Sequence, residues 1–166
     1  NLGFHHTMRD NNIDVVITPV GDRSILVALD EFDFVLGGEQ SGHVIHRAHA
    51  TTGDGLLAAL QLVEYITRAR VTLDQAASIM QSYPQVLVNI RTLNRVHDPV
   101  HDIAEQISQA EAELGDNGRI LVRSSGTEPL VRVMVEAADQ ITAESIAMRL
   151  AEAIVVIHGG SIEGTH

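Results

Sequence analysis

Arg123 and Arg132 bracket the run Ser124-Ser125-Gly126-Thr127-Glu128-Pro129. Guanidinium groups grip phosphate oxygens through paired N–H donors. The hydroxyls of Ser124, Ser125 and Thr127 add further donors. Gly126 permits a positive φ and a close approach of ligand to backbone. Successive amides in such a turn form a concave anion-binding nest. The run therefore reads as a phosphate cradle. Glu128 suits holding an arginine in place better than meeting an anion. The same residues also fit an ordinary hairpin turn with solvated arginines.

A second constellation lies in Gly37-Gly38-Glu39-Gln40-Ser41-Gly42-His43. Glu39, Ser41 and His43 alternate, so extended backbone points all three to one side. A carboxylate, a hydroxyl and an imidazole together suit the vicinal hydroxyls of a sugar. A glycine-rich polar loop with no ligand is the competing reading. His43, His46 and His49 recur every three residues, a spacing that does not put all three on one face of a strand, so no metal site is expected from them. His97 and His101 flank Pro99 and read as a solvated helix end. Asp30, Glu31 and Asp33 read as a solvated acidic face. Asp54 reads as a helix cap rather than a ligand contact.

These sites sit in an acidic background. The 166-residue chain carries a net charge of −11, and all 11 of its cationic side chains are arginine. That balance disfavours non-specific nucleic-acid binding. Aromatic residues at 3% argue against base-stacking platforms. With no cysteine, disulfides and thiolate metal sites are excluded. The sequence has no apolar run of about 20 residues and no secretory leader pattern at Asn1–His6, so a cytoplasmic protein without membrane association is expected.

The elements that must position these residues divide at Pro84. Residues 1–83 read as a partial α/β domain with a connecting segment, and 84–166 as a small α+β domain. In the first part, residues 1–11 suit the end of a helix, and Ile13–Ile17 a buried strand. A helix over 23–32 follows, then short strands at Phe34–Leu36 and Val44–Ile45. A long helix from Asp54 to Arg70 should bury Leu56, Leu57, Leu60, Val63 and Ile66. A short helix is expected near 74–80. In the second part, Val86–Ile90 is a strand. Asp98 and Pro99 open a helix carrying Ile103, Ile107, Ala110 and Leu114, with Gly115 just beyond its end. Ile120–Val122 and Leu130–Val135 are strands joined by the arginine-bracketed run. Thr142 should cap a last helix ended by Gly159-Gly160. The order β-α-β-β-α implies a sheet covered on one face by two helices. Alternation places Val131, Val133 and Val135 toward the core, with Arg132, Met134 and Glu136 opposite.

Taken together, "TPVGDR", "GGEQSGHVI", "TTGDGLLAAL" and "RSSGTEPLVRVMVE" resemble the α-D-phosphohexomutase superfamily, in the right order and over nearly the whole chain. The resemblance implies four domains around a cleft, with this chain beginning inside the third domain, an α/β/α layer fold, and ending with the fourth. It implies sugar contacts from Glu39, Ser41 and His43. It implies phosphate contacts from Arg123, Ser125, Gly126, Thr127 and Arg132. Gly21, Asp22 and Arg23 match a loop at the cleft, although Ser24 stands where relatives commonly have tyrosine. A third domain cut short would leave an unpaired sheet edge.

The implied reaction moves phosphate between O6 and O1 of a hexose, by way of an enzyme phosphoserine in the first domain and Mg²⁺ held by aspartates in the second. "GEQSGH" with "VGDR" favours glucosamine phosphates. Glucose or mannose phosphates, and a non-catalytic phosphosugar-binding module, are the alternatives. Neither a phosphoserine segment nor an Asp-x-Asp-x-Asp metal loop occurs in the sequence. No catalytic residue and no bound Mg²⁺ are therefore expected in this stretch, which alone should be inactive. The implied partners are a small phosphosugar and the preceding domains of the same protein, and a homo-oligomer is compatible with the sequence.

Overall fold

The computed structural model describes residues 1–39 and 41–165. The chain divides into two compact units, Thr7–Met80 and a second formed by Asn1–His6 with Gln81–His166.

The helix α1 (Leu2–Asp10) begins in the second unit and enters the Thr7–Met80 unit, ending before Asn12, which takes φ 54°. Residues 13–19 then run without any ladder, and Ile13, Val15 and Ile17 are exposed. The buried strand expected at Ile13–Ile17 is therefore absent. A strand needs a partner for its N–H and C=O groups, and the described residues provide none here. Helix α2 (Asp22–Glu31) follows, with Ile25 and Leu29 buried. Strands β1 (Leu36–Gly38) and β2 (Val44–His46) pair antiparallel, with Gly37 opposite Ile45. Arg47 gathers the acidic run, reaching Asp30 at 3.2 Å and Asp33 at 3.0 Å.

Helix α3 (Gly55–Ala69) is capped by Asp54, which accepts from the Leu57 amide at 3.0 Å. Its apolar side is not buried, against expectation: Leu56, Leu60 and Val63 are all more than half exposed. The periodicity is that of a core-facing helix, but a two-stranded ribbon is too small to cover it. Helix α4 (Leu73–Ala77) opens with a capping box between Thr72 and Gln75.

The second unit is a four-stranded antiparallel sheet in the order β4-β5-β3-β6. Its strands are β3 (Gln85–Arg91), β4 (Gly118–Ser124), β5 (Leu130–Ala137) and β6 (Ser161–Thr165). Between β3 and β4 lie α5 (Pro99–Asp102) and α6 (Ala104–Leu114), where one continuous helix was expected. The break falls at Ile103, whose side chain is fully buried. Helix α7 (Gln140–His158) is capped by Asp139 rather than by Thr142. Thr142 is instead the donor, through its amide at 2.9 Å and its hydroxyl at 2.7 Å.

The helical stripe Ala143, Ile146, Ala147, Leu150, Ala151, Ile154 of α7 meets the sheet valines Val86, Val88, Val131, Val133 and Val135. Burying each such branched side chain contributes about 1.5–3 kcal/mol. Strand β6 was not expected, because Gly159-Gly160 reads as a helix stop. Both glycines do end α7, but they also reverse the chain onto β3. Gly160 takes φ 102°, and a Cβ there would fall 1.9 Å from the Arg91 carbonyl oxygen. Only glycine allows the backbone to pass that close.

The other face of this sheet carries the polar residues. At one end, Glu136 is fully buried. It takes two hydrogen bonds of 3.0 Å from Arg119 and one of 2.7 Å from the Leu2 amide. At the other end stand Arg123 and Arg132.

Candidate functional site

The cradle residues rest on the sheet. In the β4–β5 ladder Arg123 lies directly opposite Arg132, with Asn89 of β3 next in the same row. Val122, Val131 and Val133, beside these arginines in sequence, point into the core and fix their backbone positions. Like charges directly opposite on a sheet repel and destabilise it. Six arginines occur in residues 81–166. Arg91, Arg119 and Arg149 pair with Glu163, Glu136 and Glu113. Among the described residues, no carboxylate comes within 4.0 Å of Arg95, Arg123 or Arg132. In a chain of net charge −11, an unneutralised arginine pair is a place for an anion.

The loop between the strands closes on itself. The Ser125 amide donates to Leu130 O at 2.7 Å. The Ser125 hydroxyl oxygen accepts from the amides of Thr127 and Glu128 at 3.4 and 3.3 Å, both long bonds. Two amide N–H groups thus aim at one oxygen and are only weakly held, which is the geometry of an anion nest. Gly126 does not use the positive φ that glycine permits. A Cβ at Gly126 would meet nothing within 4 Å, so what glycine provides is open space above the loop. Ser124 points elsewhere: its hydroxyl donates to Val96 O at 2.5 Å. Glu128 takes no arginine hydrogen bond among the described residues, and the arginine near the loop that is held by a carboxylate is Arg91, held by Glu163. That hydrogen bond keeps the Glu163 carboxyl below the usual carboxylate range.

The segment after β3 supports this loop from outside, and sequence reasoning did not single it out. The Thr92 amide donates to Pro129 O at 3.0 Å, Val96 O takes the Ser124 hydroxyl, and Arg95 donates to Gly126 O. A count of arginines left without a carboxylate is the signal that would have found Arg95, but that count needs the fold.

In the Thr7–Met80 unit, the second constellation comes together as well, though not in extended form. The Glu39 amide donates to His43 O at 2.9 Å, and the Gly42 amide to Glu39 O at 3.0 Å, with Gly42 at φ 92°. The chain therefore turns back between β1 and β2. The turn lines the three side chains up in series. The Ser41 hydroxyl lies 3.2 Å from Glu39 Oε2 and 2.9 Å from His43 Nδ1. A carboxylate only accepts, so the serine proton goes to Glu39 and His43 Nδ1 carries the hydrogen that Ser41 accepts. Activating a serine requires the imidazole to take its proton; here the carboxylate does. The trio is a hydrogen-bonded strip. Glu39 Oε1 also accepts from the Gly21 amide at 2.9 Å. Gly21 is thereby joined to the strip, and Asp22 and Arg23 follow it as the first residues of α2.

The His46 and His49 rings pack at a 46° tilt with centroids 4.7 Å apart, while His43 turns to Ser41. Among the described residues no group of three or more His, Asp or Glu side chains is placed to hold a metal ion. The described residues therefore do not fit the aspartate-built magnesium site of the resemblance. Among the same residues, no helix is long and apolar enough to cross a membrane.

A Glu-Ser-His strip on a two-stranded ribbon, and an arginine pair at a hydroxyl-rich loop on a four-stranded sheet, belong to one mixed α/β chain. The family model for phosphoglucomutase/phosphomannomutase alpha/beta/alpha domain III matches residues 1–83, and that for the C-terminal domain matches residues 87–153. The chain belongs to the phosphoglucomutase/phosphomannomutase family. It is 51% identical over 155 residues to a phosphoglucosamine mutase of Frankia casuarinae, covering 93% of this chain and 34% of that protein. It is 53% identical over 154 residues to the phosphoglucosamine mutase of Clavibacter michiganensis, covering 91% and 35%. The chain thus spans about a third of the length of these relatives.

The fold is shared with N-acetylphosphoglucosamine mutase of Aspergillus fumigatus, at TM-score 0.70 and 18% identity over 90% of this chain and 35% of that one. The same fungal enzyme in complex with GlcNAc-6P and magnesium matches at TM-score 0.67 and 17% identity, over 95% and 37%.

Proposed function

We propose that this chain is the sugar- and phosphate-recognising C-terminal part of a phosphoglucosamine mutase, which interconverts glucosamine 6-phosphate and glucosamine 1-phosphate. Residues 1–83 contribute Glu39, Ser41 and His43 to read sugar hydroxyls, with Gly21, Asp22 and Arg23 at the adjoining start of α2. Residues 84–166 contribute Arg123, Ser125, Gly126, Thr127 and Arg132 to hold the phosphate that is not being transferred. Phosphoryl transfer depends mostly on positioning and charge stabilisation, and this part of the protein supplies positioning. One cradle of fixed donors serves both isomers, because it grips a phosphate group rather than a particular carbon. The phosphoryl-accepting serine and the magnesium ligands lie in the preceding domains, so this chain binds phosphosugar without turning it over.

The observation that carries the reading is the uncompensated Arg123–Arg132 pair, set directly opposite across β4 and β5 beside the loop. Titration calorimetry with glucosamine 6-phosphate tests it on the wild type, Arg123→Ala and Arg132→Ala. A charged hydrogen bond contributes about 1.5–3 kcal/mol. Each variant should therefore bind roughly 10- to 150-fold more weakly. Equal affinity in all three proteins rejects the cradle.

A further inference from the structure

We propose that Arg95 is a positioning residue of the phosphate loop: it holds the Gly126 carbonyl and thereby presents the Thr127 N–H to the anion. The inference rests on the cradle reading above and extends it to a residue outside the arginine-bracketed run.

The Gly126–Thr127 peptide can face two ways. In a trans peptide the C=O and the following N–H point in opposite directions. Turned one way, the Thr127 amide faces the nest. Turned the other, the Gly126 carbonyl would face it and repel an anion. Local contacts hold the choice only weakly. Gly126 has no side chain, a Cβ there would touch nothing within 4 Å, and the Thr127 amide is held only by a 3.4 Å contact to the Ser125 hydroxyl. Arg95 settles it, because its guanidinium donates to Gly126 O.

Arg95 is exposed, but the backbone on either side of it is well anchored. Its neighbour Val96 is a core residue whose carbonyl takes the Ser124 hydroxyl. Thr92, only 3% exposed, donates its hydroxyl to Asn94 O at 2.8 Å and its amide to Pro129 O. The segment 92–96 thus grips the loop at its start, middle and end. No carboxylate neutralises Arg95 among the described residues, so its charge also adds to the field of Arg123 and Arg132.

Inorganic phosphate is titrated into the ¹⁵N-labelled chain as wild type, Arg95→Ala, Arg95→Lys and Arg123→Ala, following affinity, amide shifts and the melting temperature without phosphate. Arg95→Ala should bind about tenfold more weakly, lose the phosphate-induced shift of the Thr127 amide and melt as the wild type does. Arg95→Lys, which keeps a donor and the charge, should recover part of both the affinity and the shift. If Arg123→Ala binds weakly while Arg95→Ala binds like the wild type with the same Thr127 shift, the Arg95 inference is overturned and the cradle stands. If Arg95→Ala melts markedly lower, Arg95→Lys decides: wild-type stability without recovery of the shift overturns the inference. A wild type that binds no phosphate overturns both readings.

Discussion

The buried Glu136 carboxylate gives the sharpest test of how the second unit is held together. Its side chain is 0% exposed, whereas Arg119 is 40% exposed. Glu136 accepts two hydrogen bonds from Arg119 and one from the Leu2 amide, where it also sits favourably at the start of α1. Replacing it by glutamine puts an NH₂ group against one of those donors. One charged hydrogen bond is lost, worth about 1.5–3 kcal/mol. The stranded guanidinium recovers some of this from water, because Arg119 is partly exposed. Glu136→Gln should therefore cost about 1–2 kcal/mol, and for a domain of roughly 60–100 residues that lowers Tm by about 4–16 °C. Arg119→Met should cost more, about 3–5 kcal/mol, since it leaves the carboxylate buried without its cation. Thermal and urea unfolding followed by circular dichroism measure both. The reasoning fails if Glu136→Gln stays within about 0.5 kcal/mol of the wild type, the range of ordinary surface changes. It also fails if Arg119→Met is the milder of the two.

Two further outcomes follow from the same structure. Gly126→Ala should leave stability within about 0.5 kcal/mol, since the added methyl meets no protein atom, yet weaken phosphate binding by roughly tenfold; a calorimetric affinity equal to wild type would show that the open space above the loop is not used. Asp139 caps α7, and hydrogen bonds from Thr142 hold its carboxyl below the ordinary value. A depressed carboxyl stabilises the fold above its unfolded pKa, and that stabilisation is lost as pH falls through the folded one. Asp139→Asn should therefore melt below the wild type at neutral pH, with the gap closing in acid; a gap that stays constant in Tm measured across that range would contradict the cap.

The fourth-domain sheet was legible because its signals are local. Alternation at Leu130–Ala137 placed the valines inward, and the Asp98-Pro99 pair marked a helix start. What failed depended on partners distant in sequence. Ile13–Ile17 has the residues of a strand, but a strand exists only with a neighbour to pair with. Helix α3 has the periodicity of a buried helix, but burial requires a surface to cover it. Strand β6 was hidden because Gly159-Gly160 signals a stop without saying that the chain reverses onto β3. At the site, the residue types in both constellations were readable from spacing. The turn between β1 and β2 was not, and neither was the role of Arg95, which lies well outside the arginine-bracketed run and reaches it only through the fold.

Under the proposed cradle, the placement of the arginines also explains how an acidic chain keeps a fixed anion site. Arg123 and Arg132 stand on adjacent strands whose opposite faces are buried valines, so their repulsion cannot be relieved by moving the backbone. Loop residues of the same charge would simply drift apart. The loop amides are held in turn by segment 92–96, itself anchored through Thr92 and Val96. Donors fixed before the ligand arrives avoid much of the ordering cost of binding. The cost is moved into the folded state as a like-charge row, and the bound anion relieves it. Phosphate should therefore raise the melting temperature of this unit, in proportion to the logarithm of its concentration once that concentration is well above Kd. The same concentration of an uncharged sugar should not.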